Sequence, residues 1–241
     1  EVVVVVPTPD AERALALRPL ADGTGHTVLV HAAGQFLTDI EALNLGLSSA
    51  RGVWIHLLAG DDCGAPHFYR AMREALAASD APVAVDAAEP LRALDLELWI
   101  TPGRFVTRRD RFEAVGGLCV TTPTAAAWEA LQRLATSAPL LPVPDAGAPR
   151  RVGPIAPFGY GEELTHCLSA VRFAREALDL DDGDVEALHD RCVEFAIDLL
   201  HADIEQDRFR SALATAAEGM RIRASDAARD RLAGELAGYL P

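Results

Sequence analysis

The chain opens on five consecutive valines, Val2 to Val6, closed by Pro7. A β-branched run with no polar alternation suits neither a half-exposed strand nor an amphipathic helix. It reads as a strand covered on both faces, as in a parallel sheet between helix layers. Residues 10–20 follow with a short helical pattern, Asp22-Gly23-Thr24-Gly25 breaks it, and residues 27–30 form a second apolar strand. Strand, helix, strand in that order predicts a right-handed parallel crossover. The fold class is therefore α/β, Rossmann-like, with a mostly parallel sheet flanked by helices.

The pattern continues with a helix over 37–47 closed by Gly52, and a third buried strand over 53–58 that runs into Ala59-Gly60-Asp61-Asp62. Open α/β sheets bind ligands at the carboxyl ends of their strands, so this acidic pair falls where a ligand is expected. Residues 68–78 are amphipathic and helical, 83–85 make a short strand, 96–101 and 104–107 are further strands, and Gly116-Gly117 allows a tight turn. Six prolines between residues 138 and 158 mark a connector. Beyond it, 162–178, 185–201, 208–221 and 224–240 are rich in Ala, Leu, Glu and Arg and predict a small helical bundle or cap. The expected division is residues 1–158 as the α/β domain and 159–241 as a C-terminal helical extension. No self-similar period supports a helical-repeat array.

Composition narrows the partners. Of 241 residues half are hydrophobic, enough for a substantial core, and 36 acidic residues against 22 basic ones, all Arg, give a net charge of −14. That charge disfavours nucleic acid and anionic lipid surfaces. Cys63, Cys119, Cys167 and Cys192 show no CxxC spacing, which fits a reduced, cytoplasmic setting. The apolar run at residues 2–7 is far too short to span a bilayer, and no charged segment precedes it. No nucleophile elbow, P-loop, dinucleotide fingerprint or zinc-protease motif is present.

Three segments, in order, carry a family resemblance: VVVVVPTPD, NLGLSSARGVWIHLLAGDDCGAPHFYRAM, and ITPGRFVTRRDRFEAVGGL followed by AAAWEALQRLA. Together they resemble the GT-A domain of family 2 glycosyltransferases. The likeness is strongest to a bacterial subgroup whose strand reads V-H-L/I-L before x-x-Asp-Asp. The resemblance implies a GT-A fold, a nucleotide-sugar donor, a small-molecule or glycan acceptor, and a divalent metal, Mn²⁺ or Mg²⁺, at Asp61 and Asp62. On the donor side it points to Thr8, Asp10, His31, Arg51 and Asp61; on the acceptor side to Arg108 and Trp128; for catalysis to Glu129 and Arg109.

Each of these residues also has a plainer reading. Asp61-Asp62 reads equally as a solvated turn capping the next helix. His31 reads as a base-stacking group or as a structural strand-end residue. Arg108 and Arg109 have the guanidinium forks to bind oxyanions, or to pair with Asp110 and Glu113. Several acidic positions of the family pattern are replaced: Ala59 stands for the first metal-site Asp, His31-Ala32-Ala33 for the nucleoside-contacting Asp, and Ala127 for the general base beside Trp128. Arg150-Arg151-Val152-Gly153 replaces the closing Tyr-Arg-x-His.

Two functions follow from this pattern. One is a glycosyltransferase. The other is a catalytically degenerate GT-A pseudoenzyme that serves as a ligand- or protein-binding scaffold. The C-terminal helices are expected to pack on the acceptor side, or to form a homodimer or protein-partner face.

Overall fold

The structure, a computed structural model, describes residues 1–9, 11–17, 28–58, 62–63, 65–88, 96, 100–148, 150–151, 162–205 and 208–239. The chain divides into two compact units. The first takes Glu1–Ala93, Thr101–Val120 and Ala130–Pro154; the second takes Leu94–Ile100, Thr121–Glu129 and Ile155–Pro241.

In the first unit β1 (Val2–Val6) pairs in parallel with β2 (Val28–Ala32), in a register that sets Val2 against Val28 and Val5 against His31. The helix α1 (Ala11–Leu17) connects them, as the strand-helix-strand pattern predicts. Backbone bonds from Ala33 N to Val6 O (3.1 Å) and from Leu37 N to Pro7 O (2.8 Å) stitch the next loop to the carboxyl end of β1. α2 (Asp39–Ser49) starts two residues later than its apolar pattern suggests, because Thr38 caps it. The Thr38 hydroxyl accepts from Glu41 N at 3.2 Å, and the Glu41 carboxylate accepts from Thr38 N at 2.8 Å. These bonds hold the Glu41 carboxyl below its usual range.

A second, four-stranded sheet has the order β3 (Trp54–His56), β6 (Phe105–Arg108), β5 (Val83–Val85), β7 (Leu141–Pro142). β6 runs antiparallel to both β3 and β5, whereas β5 and β7 are parallel. It follows that β3, β5 and β7 run the same way and share one edge for their carboxyl ends. β5, an uninterrupted Val-Ala-Val, is fully buried. α3 (Phe68–Ala77) drops Phe68 and Met72 onto Ala84, Val106 and Val143, forming the core beneath that edge. Of the strand expected at 96–101, residues 97–99 lie outside the described residues, and neither Ile100 nor Thr101 is in a strand. The next strand begins one residue later than expected because Pro102–Arg104 form a 3₁₀ turn.

Several short elements escaped prediction, β7 among them. β4 (Asp62–Cys63) and β8 (Arg150–Arg151) form an antiparallel pair that is too brief and polar to show a period. α4 (Arg109–Ala114) is a single polar turn and a half ending at Gly116-Gly117, where both φ values are positive, 89° and 73°. Gly117 is required on a second count: a Cβ there would sit 2.8 Å from Asn44 Oδ1. The Asn44 amide accepts from Leu118 N and donates to Leu118 O, fastening the turn to α2.

α5 (Ala126–Ala135) crosses from the second unit to the first after Glu129. In the second unit α6 (Glu162–Ala177), α7 (Asp182–Glu205), α8 (Phe209–Gly219) and α9 (Asp226–Tyr239) pack as a bundle. The central α7 extends past its expected 185–201 at both ends and buries Val185, Leu188, Cys192, Val193, Ala196 and Leu200. Gly219 lets α8 approach closely, since a Cβ there would meet Leu232 Cδ2 at 2.6 Å. Cys119, Cys167 and Cys192 form no disulfide, and burial pushes the Cys192 thiol up to about 12. No described helix is long and apolar enough to cross a membrane.

Candidate functional site

The carboxyl edge of β3, β5 and β7 is built around Asp86, the residue that follows β5. Its carboxylate accepts from Ala146 N at 3.1 Å and Ala148 N at 2.8 Å. Its backbone N donates to Arg104 O, and the Arg104 guanidinium donates back to Asp86 O at 2.6 Å. The loop gripped in this way turns through two left-handed residues, Asp145 (φ 53°) and Gly147 (φ 75°). Gly147 O in turn accepts from Ala65 N at 3.0 Å, so the loop ties the end of β5 to the stretch that follows Asp62. Sequence reasoning passed over Asp86, although the signal that picked out Asp61-Asp62, a carboxylate directly after a buried strand, is present there too.

His56, the last residue of β3, is a second anchor of this edge. Its Nε2 lies 2.9 Å from Gly103 O and its Nδ1 3.0 Å from Tyr69 Oη. A carbonyl only accepts, so Nε2 carries the proton and Nδ1 accepts from the tyrosine. The ring lies against Phe68, with centroids 4.9 Å apart. Burial lowers the His56 pKa, partly opposed by the bond to Gly103. The imidazole is therefore a neutral strut between α3 and the start of β6.

Asp62 opens β4 and lies opposite Arg151 in the β4–β8 register, with Cys63 opposite Arg150. Asp61 and Asp10 lie outside the described residues, as does the side chain of Asp62. Thr8 is half-buried just beyond β1. On the neighbouring strand His31 has its Nε2 buried with no hydrogen-bond partner among the described residues. A buried, unpartnered ring nitrogen at a strand end is costly unless a ligand completes it. No group of three or more His, Cys, Asp or Glu that could hold a metal occurs among the described residues.

Arg51, Arg108 and Arg109 are found at the opposite end of the strands. Arg51 N donates to the Glu1 carboxylate at 2.8 Å, beside the start of β1. Arg108 is the register partner of Trp54, the first residue of β3, and Arg109 donates to Gly52 O at 3.0 Å. Both arginines are in the ion pairs that their plainer reading expected. Arg108 grips Asp110 through two bonds of 3.1 and 2.7 Å, and Arg109 meets Glu113 at 2.9 Å. The Arg108 guanidinium holds the Asp110 carboxyl below its usual range.

In the second unit, Trp128 is fully buried and Glu129 is 5% exposed. Trp128 is thus a core residue with no face open to an acceptor, and its Nε1 has no hydrogen-bond partner among the described residues. Glu129 does have a polar partner.

Comparison with known proteins bears on the fold. No protein-family model and no curated protein sequence matches the chain. Among solved structures it is similar to the mannosyltransferase PcManGT from Pyrobaculum calidifontis in complex with GDP-Man and Mn²⁺. There the TM-score is 0.60 and the identity 17%, over 100% of this chain and 71% of that one. It is also similar to residues 1–349 of S. aureus TarS, with a TM-score of 0.62 and 11% identity over 98% of this chain and 77% of that one. The fold is GT-A-like, a helix-flanked α/β architecture shared with glycosyltransferases.

Proposed function

We propose that the protein is a cytoplasmic glycosyltransferase that moves a sugar from a nucleotide-sugar donor to a small-molecule or glycan acceptor. On this reading residues 1–158 form the donor-binding domain and residues 159–241 the helical extension. The observation that carries it is the His31 Nε2 at the carboxyl end of β2, buried without a partner among the described residues, in a GT-A-like fold whose β3 is followed in sequence by Asp61-Asp62. The likeness to a mannosyltransferase bound to GDP-Man and Mn²⁺ supports the donor class.

Thr8 and His31 are the polar groups on the nucleoside side. The unpartnered Nε2 suits a hydrogen bond to the base, and the Thr8 hydroxyl suits the ribose. Asp61 and Asp62 would hold a divalent cation, Mn²⁺ or Mg²⁺, which takes hard oxygen ligands of this kind and neutralises the diphosphate as it leaves. Glu129 is the carboxylate nearest in sequence to the base position that Ala127 vacates. If it deprotonates the acceptor, Glu129→Gln lowers kcat by about 10²- to 10⁴-fold. The ion pairs of Arg108 and Arg109 support a structural role for those two residues.

A second reading, a scaffold that binds its ligand without transfer, is supported by Ala127 and Trp128 themselves. Both are buried, 2% and 0% exposed, where the resemblance asks for an accessible base beside the acceptor.

One titration separates the readings: UDP, GDP, dTDP and their sugars, with and without Mn²⁺, on the wild type and Asp61→Ala, followed by an assay for release of the nucleoside diphosphate. Metal-dependent binding that Asp61→Ala abolishes, with turnover, supports the transferase. The same binding without turnover supports the scaffold. Absence of binding under every condition breaks the transferase and favours a scaffold whose partner is a protein.

A further inference from the structure

The second unit holds a cavity of about 250 Å³ between α6, α7 and the turn after α8. Its polar lining is Arg172, Arg175, His189, Glu218, Arg221 and Arg223. Four arginines and one glutamate therefore line one space, in a chain whose overall charge is −14. Val185 and Ile222, 6% and 5% exposed, form part of an apolar floor, which strengthens the field of the charges above it.

Two of the arginines have a structural explanation. Arg175 stands in the last turn of α6, where a cation is favoured, and reaches Asp182 at 3.5 Å; Arg221 pairs with Glu218 at 3.1 Å. Arg172 and Arg223 have no such account: among the described residues no carboxylate pairs with either. The turn that carries Arg223 is also held in place. Asp190 accepts from Ser225 N at 2.7 Å and from Ser225 Oγ at 2.8 Å, and the adjacent His189 ring hydrogen-bonds the Arg223 backbone. Two neighbouring residues of α7 thus fix a turn whose Arg223, paired with no carboxylate among the described residues, lies beside the cavity. The arrangement raises the cost of self-repulsion unless an anion occupies it.

We infer that this cavity binds a phosphate-bearing anion, a diphosphate or a phosphate ester, through Arg172 and Arg223. Guanidinium forks match tetrahedral oxyanions bidentately. The volume lies below the range of about 300–1,000 Å³ typical of sites for whole drug-sized ligands, which suits a phosphate head group over an entire nucleotide sugar. The inference does not depend on the transferase reading, because all its residues belong to the helical unit.

The test is calorimetric titration of the full chain with inorganic pyrophosphate, inorganic phosphate and citrate at fixed ionic strength. It is run on the wild type, Arg172→Gln, Arg223→Gln and the control Arg229→Gln, which lies outside the cavity. The expected result is saturable pyrophosphate binding that each cavity variant weakens about tenfold or more while the control does not. Circular dichroism checks that the variants are folded. Sedimentation with phosphatidylcholine vesicles containing phosphatidic acid distinguishes the source: retention that Arg172→Gln removes assigns a lipid-borne phosphate, and no retention assigns a free one. Pyrophosphate binding that is absent, unchanged in both cavity variants, or matched by citrate overturns the proposal.

Discussion

The two ends of the strands in the first unit are built differently. At the amino end, Arg108 and Arg109 are paired locally, by Asp110 two residues on and by Glu113 one helical turn on, while the Arg51 backbone N donates to the Glu1 carboxylate. At the carboxyl end the bonds span long stretches of chain. Asp86 holds Ala146 and Ala148, His56 holds Gly103, and Ala65 holds Gly147. Local ion pairs close an end of a sheet without shaping it. Long-range bonds between loops tie the rim together across distant parts of the chain. The difference teaches that a pair of arginines next to a strand is weak evidence for an anion site until one knows at which end it sits.

That contrast can be broken by mutation. The largest effect should come from Asp86→Ala, which leaves two buried N–H groups, those of Ala146 and Ala148, without an acceptor. A loss of about 3 kcal/mol in urea unfolding is expected. A loss no greater than for an exposed surface carboxylate would mean that Asp86 does not organise the rim. Gly147→Ala comes next. It forces a left-handed φ on alanine and sets its Cβ 2.6 Å from the Ala65 Cβ, so a cost of about 2 kcal/mol is expected.

The third effect depends on pH. The His56 pKa is lowered below 6.5 in the folded state, so its contribution to stability is complete above pH 6.5 and is lost as the pH falls below that value through the folded pKa. Denaturation midpoints of the wild type and His56→Gln should therefore converge between pH 7.5 and pH 5; a constant gap would mean that His56 is not held neutral. The smallest effect belongs to the amino end. Arg108→Gln and Arg109→Gln should change neither the unfolding midpoint nor nucleotide binding measurably, because exposed ion pairs contribute little. Loss of nucleotide binding in either variant would overturn the contrast between the ends.

Most of the element order was legible from the residues. Val83–Val85 falls where its apolar run predicts, and β1, α3 and the four C-terminal helices lie within a few residues of their patterns. Val83–Val85 and α3 have the clearest run and period, and hydrophobic burial enforces them. The short β4–β8 pair was illegible because two-residue polar strands have no period and exist only where tertiary structure brings their backbones together. Of the site, the strand-end carboxylates were visible as a type of signal, but Asp86 was missed and the arginines had no address. Trp128 reads in sequence as an acceptor-side residue; only packing shows that it is fully buried.

By itself the sequence determined the α/β layering and the helical tail, because local periodicity and the burial of apolar side chains act over a few residues at a time. Tertiary structure decided which end of the strands each charged residue occupies. An antiparallel β6, wedged between β3 and β5, carries Arg108 and Arg109 back to the amino end, and strand direction is a property of pairing that no single segment encodes.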